Sequence, residues 1–335
     1  MSNPIHTEFF SNTDTIPKEK SDYNQGKYKH LNYQPAKRHL IPIIKLSEPK
    51  TFRPWEKVQC DGVVIKTQHL LSTDGKRTNK IFDQIQSAGG IHSYLGYEGV
   101  IILSSIMPDK TIYGFSADSY AEMIDILRPD CYLTPDGETY LGEIEISTLE
   151  INRITKDTDS LIKECPYSHP IGLIKGCNLQ QINTHTEQLS QRGISRFVFH
   201  AGDFLCRGTS CATDTAIQFS FTVRKRVPWL GIYGVGAMKS LRSFSFADGY
   251  ITQSHFVNPF YGRFRNSERM NNSGQDVSRE DIINELFHIS QDISAIELQS
   301  TLSRWLLPSI FEQHDEHKRL SDCGLTDSEM IKGGI

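Results

Sequence analysis

The chain has 335 residues, enough for one large domain with a full core or for two small ones. A hydrophobic share of 38% and a charged share of 23% are those of a soluble globular protein. With 36 basic against 40 acidic residues the net charge is −4, which excludes a global field drawing the chain to nucleic acid and leaves such contact to a local basic patch.

The first 38 residues mix Asn, Lys, Tyr and Gln without a period and are expected to form a polar, loosely held tail. Their start lacks the basic end and apolar run of a signal peptide. Eight short runs follow: "LIPIIKLS", "GVVIKTQ", "GVIILSS", "DCYLTPD", "IGLIKG", "RFVFHAG", "WLGIYGVG" and "GYITQSH". They are rich in β-branched and aromatic residues and close on polar residues or Gly, which predicts strands buried on both faces. Between them lie helix-length stretches such as "TNKIFDQIQSA", "DSYAEMIDILRP", "LEINRITKDTDSLIKE", "LQQINTHTEQLSQRG" and "ATDTAIQFSFTVRKR", with apolar residues three and four apart. Gly193 is placed to end one of these helices. Such a succession of right-handed crossovers predicts an α/β fold, a (β/α)₈ TIM barrel over residues 39–275. The alternative, a doubly wound open sheet, lacks a glycine-rich phosphate loop after the first strand. From about 278 the pattern predicts two further helices, within a C-terminal helical part assigned to residues 276–335, with Ser278 and Asp281 forming the first cap.

The seven cysteines are odd in number and scattered, which predicts reduced thiols and a cytoplasmic protein. No apolar stretch approaches the roughly 20 residues that span a bilayer, so no membrane partner is expected. His200, Cys206, Cys211 and His255 match no compact zinc spacing, and no metal is expected.

Function in such a barrel gathers at the C-terminal strand ends. The residues closing the runs are Ser104 and Ser105, Asp136, Lys175, His200 with Gly202 and Asp203, Gly234 to Gly236, and Asp248 beside the last strand. Each has a plainer alternative. Asp248–Gly249 and the "TPDGET" around Asp136 are good turn sequences, Lys175 can be a solvated strand end, and His200 a rim histidine. Two basic clusters stand out: Arg224, Lys225 and Arg226 beside Trp229, and Arg263, Arg265 and Arg269 interleaved with Tyr261 and Phe264. Cations for phosphates and rings for bases suit nucleic acid, though solvated faces look the same.

In order along the chain, "GGIHSYLGYEGVIILSS", "RPDCYLTPDGE", "IGLIKGCN" with "GISRFVFHAGD", and "WLGIYGVGAMKSLRSFSFADGYIT" resemble successive segments of the tRNA-guanine transglycosylase superfamily over roughly residues 55–260. The departures are as informative. Ser104 stands where the family has its first catalytic acid, "DSGGFQ" is missing, and Lys175 replaces a glutamine. The closing zinc module is absent too, since Cys323 is the only cysteine after Cys211. The pattern is most similar to the DNA-guanine transglycosylases of 7-deazaguanine DNA modification systems.

The resemblance implies exchange of guanine in DNA, in preference to tRNA, for a 7-deazaguanine such as 7-cyano-7-deazaguanine. No redox cofactor or ATP is implied, and partner proteins of a modification system are expected. It implies Asp248 as the nucleophile forming a covalent glycosyl ester, as retaining glycosidases do. It implies Asp136 as acceptor for the N1–H and amine of a guanine edge. Lys175, Ser104, Gly202, Asp203 and Gly236 would bind substrate, and Asp109 or Asp118 would be the general base. The alternatives are a tRNA-type enzyme, a non-catalytic nucleic-acid-binding subunit of the same fold, and a nucleoside hydrolase.

Overall fold

The structure is a computed structural model that describes residues 38–46, 53–72, 75, 77–112, 115–139, 142–205, 209–260 and 278–306. Each apolar run of the sequence is a strand: β1 His39–Ile44, β2 Gly62–Lys66, β3 Val100–Ser104, β4 Cys131–Leu133, β5 His169–Ile174, β6 Arg196–His200, β7 Trp229–Tyr233 and β8 Gly249–Thr252. All pair in parallel with their neighbours, and β8 closes on β1 through His39 opposite Gly249, so the sheet is a closed eight-stranded barrel.

The helices, in chain order, are α1 Lys80–Ser87, α2 Ile91–Leu95, α3 Asp109–Ile112, α4 Ala117–Leu127, α5 Ile144–Glu164, α6 Leu179–Gln191, α7 Gly202–Leu205, α8 Ser210–Arg224, α9 Met238–Ser243, α10 Ser254–Phe260 and α11 Arg279–Leu306. Local chemistry sets their ends. Asn79, Ser116, Asn178 and Thr209 each accept a first-turn N–H at the start of α1, α4, α6 and α8. Gly193 sits at φ +82° just past α6, and the Ile194 N–H reaches back to the Leu189 carbonyl, as a C-terminal glycine permits. The expected pair of C-terminal helices is instead one helix, α11. Nothing in "SREDIINELFHISQDISAIELQSTLSRWL" supplies a Gly or Pro to break it. Ser278 does cap it, accepting the Asp281 N–H at 3.1 Å while its own N–H donates to the Asp281 carboxylate at 3.0 Å. Arg38, assigned to the tail, is docked: its N–H donates to Glu297 of α11 and its guanidinium to the Ser245 carbonyl.

Strand parity divides the apolar side chains into three bodies. Ile41, Ile43, Val64, Ile102, Leu133, Ile171, Leu173, Val198, Tyr233 and Ile251 fill the barrel interior. Their strand neighbours face the helices in two outer cores, one around Val63, Ile101 and Leu103, the other around Phe197, Leu230 and Tyr250. Burying this much branched side chain on both faces of the sheet is the main stabilising term.

Candidate functional site at the barrel mouth

In a parallel barrel every strand starts on one face and ends on the other, so position along a strand decides which face a residue serves. Asp248 precedes β8 and therefore lies on the N-terminal face. Its backbone is already part of the ladder: its N–H donates to the Leu230 carbonyl and its carbonyl accepts from His39 N–H. Its Oδ2 accepts the Leu230 N–H at 2.8 Å, and its Oδ1 takes Arg224 Nη2 at 3.2 Å. Burial pushes its carboxyl pKa up, against the opposing pull of Arg224 and the Leu230 N–H.

Asp248 is one of a set. Asp61 directly precedes β2 and accepts Leu40 N–H at 3.0 Å; Asp130 directly precedes β4 and accepts Ile101 N–H at 2.7 Å. In all three cases the acid before an even-numbered strand binds the N–H of the second residue of the strand before it. A basic side chain then faces each carboxylate: His39 for Asp61, His92 for Asp130 and Arg224 for Asp248. The acids close the open end of the sheet, where a strand's first N–H groups would otherwise be unpaired.

This overturns the assignment of Asp248 as a nucleophile at the mouth, and the turn alternative as well. Gly249 is an inner-wall residue whose Cβ, if present, would stand 2.8 Å from the Trp229 ring that plugs this end. The basic cluster at 224–226 lies on this same N-terminal face, away from the mouth. α8 ends on the N-terminal face, Arg224 is held by Asp248 and the Val227 carbonyl, and Lys225 lies 4.3 Å over the Phe221 ring. Arg226 follows on the same face. Arg263, Arg265 and Arg269 lie outside the described residues, as do Tyr261, Phe264, Cys206 and Cys323.

Asp136 is different. It follows β4, on the opposite face from Asp248, a strand's length or on the order of 15 Å away. The carboxylate is buried, and its Oδ1 takes Lys175 Nζ at 2.9 Å and the Gly137 N–H at 2.8 Å. No partner holds Oδ2 among the described residues. Lys175 follows β5 with inward parity, and its N–H donates to His185 Nδ1 at 3.1 Å. Burial holds the His185 pKa down at about 4, so the ring is neutral and fit to accept.

Ser104 ends β3, fully buried, its hydroxyl accepting from Ile106 N–H. Ser105 donates to the Thr134 carbonyl at 2.6 Å, tying the β3 tip to the β4 tip. Tyr233, the last residue of β7, is buried with its hydroxyl turned toward Ser104 but in no well-formed hydrogen bond among the described residues; the His200 ring packs edge-on against it at 5.1 Å. Burial pushes its pKa well up, against the opposing influence of Ser104, so it is a neutral donor.

The glycines after β6 and β7 bring those tips together. A Cβ on Gly234, at φ +89°, would meet Gly202 Cα at 2.8 Å, and one on Gly236 would meet Ser254 Oγ at 2.1 Å. Asp203 lies in the first turn of α7, after β6. The structure thus brings Ser104, Asp136, Lys175, Gly202 and Gly236 to one face, with the backbone of Asp203.

A solvent-open cleft of about 350 Å³ borders Asp136, walled by Met107, Phe115 and Tyr120 with Ser105, Arg153 and Asp157 at its rim. Most of that space is open to solvent, and the enclosed part is only about 30 Å³, so the cleft is a shallow recess beside Asp136. Arg153 fixes the rim: it donates to the Asp136 carbonyl at 3.2 Å, Glu150 at 2.8 Å and Asp157 at 2.9 Å. Asp109 and Asp118 lie on the same face but are exposed, one opening α3 and the other in the first turn of α4.

Sequence reasoning missed Tyr233, Lys66, Gln253 and Arg153. The first three share inward parity with Gly231, Val64 and Ile251, so counting by two from each apolar run would have found them. Arg153 comes from the middle of α5 and carried no such signal. Among the described residues no three His, Cys, Asp or Glu side chains are gathered as metal ligands, and no helix is long and apolar enough to cross a membrane. The chain matches no protein-family model and no curated protein sequence.

Proposed function

We propose that the barrel mouth binds a guanine-type base and that the chain serves replacement of guanine by a 7-deazaguanine in a polynucleotide, DNA in preference to tRNA. One observation carries it: Asp136 is a buried carboxylate with Oδ1 fixed by Lys175 and Gly137, no partner on Oδ2 among the described residues, and a recess with apolar walls beside it. A carboxylate so held accepts from the N1–H and exocyclic amine of a guanine edge, donors that a 7-deazaguanine keeps. Lys175 supplies a donor for the neighbouring carbonyl and Tyr233 a further neutral donor. Bases lacking the paired donors would leave a buried acceptor unsatisfied. The order of the sequence motifs supplies the reaction, which the barrel alone does not.

The course of exchange is attack on the anomeric carbon, departure of guanine, entry of the deazaguanine and return attack by its deprotonated N9. Asp248 takes no part in it. Asp136 is occupied with the base, so the sugar needs a second acid, and Asp203 is the residue to test. A second reading, a base-binding subunit without catalysis, is favoured by the tips of β3 and β8, which carry Ser104, Thr252 and Gln253 where an acid would be needed.

Labelled guanine incubated with the protein and single-stranded DNA, duplex DNA or tRNA decides between them. Incorporation into DNA, lost in Asp136→Asn and Asp203→Asn but kept in Asp248→Asn, is expected for the enzyme. Base binding without incorporation would establish the binding subunit, and release of free base from a nucleoside would contradict both.

A further inference from the structure

On the far side of the mouth from Asp136, three adjacent strands end in basic or amide side chains. Lys45 follows β1 with the parity of Ile43, Lys66 ends β2 with the parity of Val64, and Gln253 follows β8 with the parity of Ile251. The register seats these tips side by side, β1 pairing with β8 on one side and β2 on the other. Lys66 Nζ donates to Gln253 Oε1 at 2.8 Å across the mouth. His69, in the turn directly after β2, has its Nδ1 buried without a partner among the described residues.

Lys175 is matched by Asp136. Lys45 and Lys66 have no such match: neither makes an ion pair among the described residues. Their nearness is felt by His69, whose pKa falls to about 4 through burial and then through the charges of Lys66 and Lys45. Lys66 is itself partly desolvated, which lowers its pKa. Lys45 is exposed and Lys66 half-buried, so the two charges add to a positive potential at these strand tips. An anion between them would accept charge-assisted hydrogen bonds from both ammonium groups.

We infer that the tips of β8, β1 and β2 form a phosphate subsite, with Lys66 and Lys45 as the charged donors and Gln253 setting the position of Lys66. The ligand is a phosphate group, either the monoester of a nucleotide or a diester of a polynucleotide. The inference does not require a base at Asp136, and the two can fail separately. Placed across the same mouth, the subsite and the Asp136 cleft would hold the two ends of one nucleotide.

The test is calorimetric titration of the full chain with dGMP, deoxyguanosine, dCMP, inorganic phosphate and a short guanine-containing oligodeoxynucleotide. Wild type should bind dGMP about tenfold or more tighter than deoxyguanosine, the value of one charge-assisted contact. Inorganic phosphate should compete with dGMP. Lys66→Met should remove the preference for dGMP over deoxyguanosine, and Lys66→Arg should keep most of it. Lys45→Met is a second variant should Lys66→Met fail to fold by circular dichroism. A gain confined to dGMP names a monoester; the same loss with the oligonucleotide names a diester. Equal binding of dGMP and deoxyguanosine, or a Lys66→Met change that weakens both alike, would overturn the subsite. Equal binding of dGMP and dCMP would count against the base reading alone.

Discussion

Two buried imidazoles tie stability to pH. His255, in α10, is fully buried with neither ring nitrogen partnered among the described residues, and burial holds its pKa at about 3; His185, under Lys175, is held at about 4. In the unfolded chain both titrate near 6.5. A depressed folded pKa means that the unfolded state binds the extra proton, so the stabilisation is complete above about 6.5 and is lost as pH falls toward 4 and then 3. Urea unfolding at pH 7 and pH 5 should show a marked loss of stability on acidification. His255→Leu should reduce the pH dependence by about one proton, or about 1.4 kcal/mol per pH unit. An unchanged slope would mean that His255 has a partner in solution. His92 works in the other direction, since its bond to Asp130 raises its pKa and its contribution is present below about 6.5 and lost as pH rises through the folded value.

At the scale of elements, the N-terminal ends of the strands are built by a repeated rule, an acid before β2, β4 and β8 bonded to the N–H of the strand before it. Trp229 plugs the same end, lying against Gly231 and Gly249. Gly249→Ala would force a Cβ to 2.8 Å from the Trp229 ring, which is packed against the barrel interior, so a loss of about 1–3 kcal/mol in urea unfolding is expected. A neutral result would mean that the Trp229 ring is free to move aside.

These elements also show what the sequence made legible. The eight strands were readable because their runs are short, branched and closed by polar residues, and β-branched side chains suit walls buried on both faces. The same runs made Asp136 and Lys175 legible, since each follows its run and so stands where strands end. Asp248 was misread because it was judged by its neighbours in sequence and not by its strand. It precedes β8, on the closed end, and its parity is that of Tyr250, which faces the helices. The cleft was not legible at all. Met107, Phe115 and Arg153 come from separate segments joined only by folding.

For the whole molecule, the two ends of the barrel divide the labour. The N-terminal end spends its acids on strand N–H groups and matches each with a base. Among the described residues the C-terminal end leaves polar groups in reserve: an unshared oxygen on Asp136, a hydroxyl on Tyr233 in no well-formed hydrogen bond and two lysines without carboxylates. That asymmetry puts the groups free to meet a ligand on one face and support on the other, as is usual for a parallel barrel. The most direct test is the affinity of free guanine for wild type, Asp136→Asn and Asp248→Asn, measured by calorimetry where all three are folded. Asp136→Asn should weaken binding about 10- to 100-fold, the value of hydrogen bonds to a charged group, while Asp248→Asn keeps wild-type affinity and loses only stability. Binding lost in Asp248→Asn and retained in Asp136→Asn would contradict this division.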